Sequence, residues 1–557
     1  MVRLARWPLS AALCTAWLFA AGATSRAQNP APDSAARAVQ KLFAGWVDSS
    51  TPGCAVGASR NGRVLYENGF GLANLETRTP ITPRTVFEAA SIAKQFTAMA
   101  VMLLARDGKL SFDDDIRKYI PELPDYGTRV TIRHLLTHTS GLRDFFEMLI
   151  LARGRFEEDR VTEADMMDIV TRQKALNFTP GDEYLYSNTG YALLGIIVKR
   201  VAGQSLRDFA AARIFAPLGM SSSRFRDSYT TLVAGRAEGY ARRGSEWRSS
   251  TPNFDVYGST NLFSTVGDLL TWSENLDHPR VGDSSIVRAM STSGVLNNGD
   301  STSYGFGLSL WNDRGTMVVE HEGGDPGFRS YLGRYPEFGF SVAVLCNIPS
   351  NPVALGHEIA DIYLNRPRTP QPPLSVKTIA LPADKLARRA GIYFQPTRLE
   401  IVEVTMRDGA LFTARNGGRK LLPIDENRFW VEGTDVEHDF NPTGYTARAL
   451  SPGHHPVSFE LKSPTAIMPG KLASYAGDYF SRDLNTVYQV TASDSTLSLK
   501  TGTSNGLTAR PMFEDTFASG QITIQFVRRA NKITGFEISH PRARRLTFQR
   551  IAGTVRQ

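Results

Sequence analysis

The last third of the chain contains one sequence pattern twice. Residues 385–394 and 471–480 are identical at seven of ten positions, and matches at the same offset of 86 residues continue beyond them. Both copies consist of short alternating hydrophobic runs separated by turn signals such as Asp408-Gly409, which is the pattern of β-strands joined by tight turns. Two copies are too few for a solenoid. Each copy is therefore expected to close its own small barrel, which leaves no exposed strand edge.

A proline-rich stretch over residues 366–373 separates this β-rich region from the rest of the chain. Before it, strand-like and helix-like patterns alternate, and Asn61-Gly62 between two hydrophobic runs is a strong hairpin signal. An antiparallel sheet covered by helices from a long middle insertion is expected there. The sequence predicts an α+β domain over 28–365, a linker over 366–381, and all-β barrel domains over 382–463 and 464–557.

The first 27 residues have the composition of a secretory signal. Arg3 and Arg6 precede an uncharged apolar stretch over 7–22, and Ser25-Arg26-Ala27 is a small-residue cleavage site. A retained membrane anchor is the weaker alternative, because the apolar run is shorter than the ~20 residues that a spanning helix needs. The sequence predicts cleavage after residue 27, a mature chain with no stable membrane span, and a periplasmic or extracellular location.

Charge and cysteine content exclude several classes of protein. The formal net charge of +8 falls to +5 without the predicted signal, which is too dilute over the remaining chain to indicate binding of nucleic acid. Of three cysteines, Cys54 and Cys346 remain in the mature chain. Two thiols make neither a disulfide scaffold nor a metal cluster, and their spacing leaves open whether they pair. Neither a metal nor another cofactor is implied.

The strongest chemical signal lies at the start of an apolar helix pattern, where Ser91-Ile92-Ala93-Lys94 precedes an uncharged run over 96–105. A helix that is apolar on nearly every face must be buried, and residues three apart leave it from the same side. Burial lowers the pKa of a lysine, and a neutral lysine can take the proton of a neighbouring serine hydroxyl. Alone, the pattern also fits a serine that caps the helix and a lysine that snorkels to solvent.

Two further motifs carry polar side chains. Tyr186-Ser187-Asn188 precedes a helical pattern, so that the phenol could relay a proton while the amide orients the lysine or a substrate. His321-Glu322-Gly323-Gly324 ends a strand pattern. Its glycines would let a substrate backbone lie against the strand, and His321 could offer a donor or a charge. Taken singly, these residues also fit a hydrogen-bonded core tyrosine and a core histidine.

The three motifs, in this order, resemble the penicillin-recognising serine hydrolases, which include class C β-lactamases, D-Ala-D-Ala carboxypeptidases, related esterases and D-aminopeptidases. Similar stretches at 132–142, 261–265 and 304–307 extend the resemblance over about residues 40–365. The resemblance implies a β-lactamase/transpeptidase-like domain with an antiparallel sheet and helices. D-Aminopeptidases also carry two small C-terminal β-barrels, of lipocalin-like type, which matches the repeat in this chain.

The resemblance also assigns roles to residues. Ser91 would be the acylated nucleophile, Lys94 its general base and Tyr186 the partner acid/base. The expected substrate contacts are Asn188, His321 and Gly323, and the expected oxyanion hole consists of the backbone N–H groups of Ser91 and Gly324.

One departure from the family pattern bears on the substrate. β-Lactamases and carboxypeptidases usually have a lysine at the start of the third motif, which helps to hold a substrate carboxylate, whereas this chain has His321. The histidine form resembles the esterases and D-aminopeptidases. The sequence thus predicts an exported, D-aminopeptidase- or esterase-like serine hydrolase that acts through an acyl-enzyme on small amides, peptides or esters, with peptidoglycan fragments as further candidate partners. A β-lactamase or D-Ala-D-Ala carboxypeptidase is one alternative, and a non-enzymatic cell-wall-binding scaffold is another.

Other motifs are not assigned to the site. Lys500-Thr501-Gly502 copies the lysine form of the third motif but lies in the second β-repeat. His134 and His138 have the spacing of metal ligands on a helix but lack carboxylate or cysteine neighbours, so a structural role is favoured. The arginines within 542–545 could meet an anionic cell-wall polymer, although an outward strand face is favoured. Whether a loop of a β-repeat enters the active site, as in D-aminopeptidases, stays open.

Overall fold

The computed structural model describes residues 34–46, 50–154, 158–366, 377–414, 418–434, 436–449, 456–464, 470–502 and 506–551. The predicted signal segment and most of the predicted linker lie outside the described residues. Within these ranges, no helix combines the length and the apolar character that crossing a membrane requires.

The first part of the chain alternates strands and helices. Its strands are β1 (Cys54–Arg60), β2 (Arg63–Phe70), β3 (Leu72–Asn74), β4 (Thr79–Pro80), β5 (Phe87–Glu88), β6 (Arg224–Phe225), β7 (Tyr240–Arg243), β8 (Glu246–Ser249), β9 (Leu262–Ser264), β10 (Ser309–Asp313), β11 (Thr316–Asp325), β12 (Phe328–Tyr335) and β13 (Phe340–Cys346). The helices of the chain are α1 (Ser34–Leu42), α2 (Ala93–Arg106), α3 (Ile132–Leu136), α4 (Phe145–Arg153), α5 (Glu163–Thr171), α6 (Asn188–Ala202), α7 (Leu206–Ala210), α8 (Ala216–Leu218), α9 (Val266–Asp277), α10 (Ser284–Met290), α11 (Pro352–Tyr363) and α12 (Ala383–Ala387).

The main sheet is antiparallel, with the strand order β10-β11-β12-β13-β1-β2. The predicted hairpin forms at Asn61 and Gly62, which both have positive φ and link β1 to β2. The continuous hydrophobic run of β13 is explained by burial on both faces. Ala343 and Leu345 belong to a core shared with α2 and α9, whereas Val342 and the other alternate residues pack on the opposite side with α1 and α11.

A disulfide joins the two ends of this domain. Cys54 of β1 and Cys346 of β13 are directly opposite each other in the antiparallel pair and are bonded through their sulfurs, across 292 residues of sequence. The spacing of the two cysteines left open whether they pair. The pairing of β1 with β13 brings them together, and they form a disulfide.

The repeat forms two closed antiparallel barrels, which confirms the predicted fold class. The strands of the first are β14 (Gly391–Gln395), β15 (Glu400–Arg407), β16 (Ala410–Thr413), β17 (Lys420–Pro423), β18 (Arg428–Val431), β19 (Val436–Asn441), β20 (Gly444–Ala449) and β21 (Val457–Lys462). The strands of the second are β22 (Gly477–Ser481), β23 (Thr486–Ala492), β24 (Leu497–Lys500), β25 (Leu507–Phe513), β26 (Thr516–Ser519), β27 (Ile522–Arg529), β28 (Lys532–His540) and β29 (Ala543–Ile551).

Equivalent residues of the two copies make equivalent contacts. Tyr393 and Tyr479 are buried, and each donates its phenol O–H to the backbone carbonyl four residues earlier, at 2.8 and 2.7 Å. The second barrel also packs against the first domain, where Tyr488 donates a hydrogen bond of 2.6 Å to the carbonyl of Leu151 in α4. This docking brings the second barrel to the side of the domain that carries the three motifs.

Candidate active site

Ser91 lies in a strained turn that immediately precedes α2. The turn is a 3₁₀ segment over Ala90–Ile92, and Ala90 has φ of +48°, a left-handed conformation that costs a residue with a side chain roughly 1–2 kcal/mol. Two contacts hold it in place. The Glu88 carboxylate accepts the N–H of Ala90 at 3.3 Å, and the Ser330 hydroxyl of β12 donates to the carbonyl of Ala89 at 2.8 Å. The sheet therefore fixes the position of the serine.

Lys94 is completely buried and its amine is held in a defined geometry. Its Nζ lies 3.0 Å from Ser91 Oγ, 2.8 Å from Asn188 Oδ1 and 2.7 Å from the backbone oxygen of Ser259. A neutral lysine amine has two N–H bonds and one lone pair. Since the amide and carbonyl oxygens accept both N–H bonds, the lone pair faces the serine hydroxyl. The alternative of a snorkelling lysine is wrong.

Burial lowers the pKa of Lys94 to about 7. The carboxylates of Asp144 and Asp325 act in the opposite direction, and the guanidinium of Arg542 adds to the lowering. A substantial fraction of the amine is therefore uncharged near neutral pH.

Tyr186 closes the opposite side of the pair. Its hydroxyl makes a hydrogen bond with the Ser91 side chain, and its ring centroid lies 4.7 Å from Nζ of Lys94. Burial raises the pKa of the Tyr186 phenol well above its ordinary value, although the hydrogen bond to Ser91 lowers it. Tyr186 is thus a neutral phenol at neutral pH, able to donate a proton in a hydrogen bond.

Asn188 is the first residue of α6, and two contacts position this end of the helix. The N–H of Asn188 donates to Asp144 Oδ2 at 2.6 Å, and the N–H of Ser187 donates to Nδ1 of His138 at 3.1 Å. Asp144 is itself the N-cap of α4, where its Oδ1 accepts the N–H of Phe146 at 3.1 Å. One carboxylate therefore joins the starts of α4 and α6.

His321 is buried and neutral and both of its ring nitrogens are occupied, so neither of the two roles that the sequence left open, a donor or a charge, is available in this geometry. Its Nδ1 lies 2.6 Å from the carbonyl of Glu322, which can only accept, so Nδ1 carries the proton. Nε2 then accepts the hydroxyl of Tyr304 at 2.9 Å. Burial and the nearby Lys94 lower the pKa of His321 to about 3. The residue offers no positive charge to a substrate carboxylate at neutral pH.

The two glycines of the third motif differ in their surroundings. A Cβ on Gly323 would lie 2.6 Å from the carbonyl of Ala89 and 2.1 Å from Ser330 Oγ, whereas one on Gly324 would meet nothing closer than 3.6 Å, at Arg329. Gly323 thus lets β11 approach the turn that carries Ser91, instead of leaving room for a substrate backbone as the sequence suggested. This close approach places the strand that carries Gly324 beside Ser91.

Several residues of the site were not predicted. The ring centroid of His138 lies 4.3 Å from that of Tyr186 and 4.6 Å from that of Tyr304. Both His138 and Tyr304 fall in stretches already noted for their family resemblance, which was the available signal. Because α3 ends at Leu136, His138 does not share a helix face with His134. The Nδ1 atom of His134 accepts the N–H of Thr131, the N-cap residue of α3.

The turn between β28 and β29 of the second barrel reaches this site. The backbone carbonyl of Arg542 accepts a hydrogen bond from the N–H of Asp144 at 3.0 Å. The guanidinium of Arg542 binds Glu147 and lies 5.9 Å from the Tyr186 ring centroid. Arg544 binds Glu183 at 3.0 Å. The favoured outward orientation is therefore wrong for Arg542 and Arg544, because strand alternation does not show which solvent-side residues another domain covers; the side chain of Arg545 is 43% exposed.

The sequence Lys500-Thr501-Gly502, which also matches the third motif, lies in the second barrel and not in the candidate site. Lys500 ends β24, and the Thr501 hydroxyl lies 2.6 Å from that of Thr486 in the same barrel. It is a structural part of the second barrel.

Comparison with known proteins agrees with this geometry. Residues 35–363 match the family model described as Beta-lactamase. A penicillin-binding protein of Bacillus subtilis (strain 168) is 29% identical over 410 residues, which cover 69% of this chain and 88% of that protein. A D-aminopeptidase of Brucella anthropi is 28% identical over 316 residues, which cover 56% of this chain and 59% of that enzyme.

A solved structure has the same fold over a longer region. The octameric penicillin-binding protein homologue from Pyrococcus abyssi superposes with a TM-score of 0.55 at 24% identity, covering 76% of this chain and all but 1% of that one. The family match extends over more than half of the sequence and contains all three motifs. The chain therefore belongs to the beta-lactamase family of serine hydrolases.

Proposed function

We propose that this protein is an exported serine hydrolase that forms an acyl-enzyme at Ser91 on small amide, peptide or ester substrates and resembles D-aminopeptidases and esterases in its substrate class. The observation that carries the proposal is the Lys94 amine, buried 3.0 Å from Ser91 Oγ with both of its N–H bonds occupied by other acceptors. An amine in that position is a general base for the serine.

The residues define a complete cycle. Neutral Lys94 takes the proton of Ser91 as Oγ attacks the substrate carbonyl, and the N–H groups of Ser91 and Gly324 stabilise the oxyanion, where one donor is typically worth ~10²–10³ in rate. The Tyr186 phenol, hydrogen-bonded to Ser91, passes a proton to the departing amine or alcohol and regains one from Lys94. Water then attacks the acyl-enzyme by the reverse proton route and releases the acid.

The neutral third motif favours substrates that lack a carboxylate beside the scissile bond. His321 has no charge at neutral pH, and the guanidinium of Arg542 near Tyr186 is already bound to Glu147. This supports an amidase, aminopeptidase or esterase over a β-lactamase or carboxypeptidase. The D-aminopeptidase among the relatives supports the same choice.

Export is supported by two features. The N-terminal segment has the composition of a cleaved signal, and the Cys54–Cys346 disulfide is of a kind that persists in oxidising compartments. Protein recovered from the periplasm of a bacterial host should therefore begin at Gln28 by intact-mass measurement.

The acyl-enzyme is tested by intact-protein mass spectrometry after brief incubation with p-nitrophenyl esters, penicillins or a fluorophosphonate. Wild-type protein should gain the mass of one acyl or phosphonyl group, and Ser91→Ala should gain none. Ser284→Ala, which alters an exposed serine of α10, is the matched control and should behave as wild type. Absence of any adduct would contradict the proposal and favour a non-catalytic cell-wall scaffold.

The substrate class is tested with p-nitroanilides of D- and L-amino acids, p-nitrophenyl esters, nitrocefin, and one peptide supplied both as its free acid and as its amide. We expect the amide to be cleaved in preference to the free acid. Efficient turnover of nitrocefin, or preference for the free acid, would favour the β-lactamase or carboxypeptidase alternative.

A further inference from the structure

The second barrel contacts the first domain through a two-residue turn. β28 ends at His540 and β29 begins at Ala543, which leaves Pro541 and Arg542 at the tip. The carbonyl of Arg542 accepts hydrogen bonds from the N–H of Asp144 and from Nδ2 of Asn177, both at 3.0 Å. These contacts fix the tip of the hairpin at the start of α4.

The side chain of Arg542 meets two buried carboxylates. Its Nε and Nη2 donate to Glu147 Oε1 at 2.9 and 2.5 Å, and its Nη1 lies 4.0 Å from Asp144 Oδ2. Asp144 is completely buried and Glu147 is 4% exposed. Buried carboxylates are costly unless a cation or hydrogen-bond donors accompany them. His540, which contacts the second oxygen of Glu147, is the other such group from the barrel.

A short chain of contacts leads from Arg542 to the nucleophile. Asp144 Oδ2, which faces Arg542, also accepts the N–H of Asn188 at 2.6 Å. Asn188 Oδ1 accepts one N–H of Lys94, and Lys94 faces Ser91. Movement of the carboxylate would therefore change one of the two contacts that orient the lone pair of the lysine.

The charges around Lys94 come from several elements. Asp144 precedes α4 and Asp325 ends β11, and both favour the charged amine, whereas Arg542 opposes it. Other titratable groups beside Lys94 are His138 and His321, whose pKa values burial lowers, and Tyr186 and Tyr191, whose pKa values burial raises, so that all four are neutral at neutral pH. Arg542 thus opposes the effect of Asp144 on the amine, whereas Arg226 and Arg329 are the arginines whose charges act on Asp325.

We propose that Arg542 of the second barrel is a positioning residue of the Ser91–Lys94 pair. The proposal rests on the proposed function of that pair. Arg542 acts through Asp144 and Asn188 on the orientation of the amine, and through its charge on the protonation of the amine.

The test compares Arg542→Gln and Arg542→Lys with the matched control Arg528→Gln, which removes an ion pair of the same barrel with Asp515 (2.8 Å) away from the site. The readout is the second-order rate of Ser91 labelling by a fluorophosphonate between pH 5 and 9, which reports on the serine whatever its natural substrate is. Thermal unfolding and circular dichroism confirm that each variant is folded.

In Arg542→Gln the acid limb of the labelling rate should move to higher pH by roughly 0.5–1 unit, the size expected for one charge acting over ~10 Å at an effective dielectric constant of about 20–40. The rate at pH 6 should fall about three- to tenfold by this shift. Arg542→Lys keeps the charge and should retain most of the wild-type midpoint, and Arg528→Gln should retain all of it.

Two results would overturn the proposal. One is a folded Arg542→Gln variant whose labelling rate has the same pH midpoint as that of the wild type. A contact with a purely structural role would give this pattern, even if it lowered the labelling rate equally at every pH. The other is an equal shift in Arg528→Gln. If wild-type Ser91 is not labelled at any pH, the proposed function itself fails, and this outcome is distinct from both.

Discussion

Acylation of Ser91 should depend on pH with a midpoint near 7, because Lys94, the proposed base, is a buried lysine. Burial lowers the pKa of Lys94 from 10.5 to about 7, which corresponds to about 5 kcal/mol of difference between its protonation states. At pH 8 about 90% of such an amine is neutral, against about 0.3% for an unshifted lysine. The environment of Lys94 is therefore worth roughly 300-fold in rate at that pH, if the neutral amine is the base.

The assay is the initial rate of p-nitrophenyl ester hydrolysis at subsaturating substrate between pH 5 and 9, in buffers of constant ionic strength. The rate should fall about tenfold per pH unit below pH 6. Asp325, whose pKa burial raises to about 6, is the competing candidate for this limb. Asp325→Asn separates the two: it removes a charge that favours protonated Lys94, so the midpoint should move to lower pH and remain visible. A flat profile, a midpoint above pH 9, or loss of the limb in Asp325→Asn would refute the assignment to Lys94.

Two further predictions concern the disulfide and the third motif. Cys54→Ser removes a cross-link that closes a loop of nearly 300 residues, so it should lower the free energy of unfolding by roughly 2–5 kcal/mol. The measurement is a thermal or denaturant melt without reductant. Equal stability of the variant and the oxidised wild type would contradict this prediction. Gly323→Ala should reduce Ser91 labelling by about 100-fold or more, because the new Cβ would lie 2.6 Å from the Ala89 carbonyl and displace the turn that carries Ser91. Gly324→Ala keeps its N–H and has space, so it should stay within about tenfold of wild type; similar losses in both would rule out the steric explanation.

Most of the fold was accessible from local sequence patterns. The 86-residue offset predicts two barrels because each copy must pair its own strand edges, and the positive φ of Asn61 and Gly62 was foreseeable from their residue types. The pairing of β1 with β13 was not foreseeable in the same way. It joins segments almost 300 residues apart, and neither strand carries a local signal for its neighbour.

The site was predictable in its residue types and not in its electrostatics. The three-residue spacing placed Ser91 and Lys94 together, since it follows from helix geometry. The neutrality of His321 depends on burial and on the nearby Lys94, and its tautomer depends on the Glu322 carbonyl, and no spacing rule contains those facts. Similarly, the carbonyl of Ser259 orients Lys94 from a loop that shows no chemical motif.

Helix α4 shows why local sequence patterns do not predict the electrostatics of the site. Asp144 at its N-cap and Glu147 in its first turn are ordinary acidic residues for a helix start, where they would normally face water. In the structure both are buried, and their cation is Arg542 of the second barrel, which is nearly 400 residues later in the chain. A carboxylate buried this deeply needs its partner in place. The electrostatic balance beside Lys94 is therefore complete only when the second barrel is docked, and no pattern within the first domain alone could have revealed that requirement.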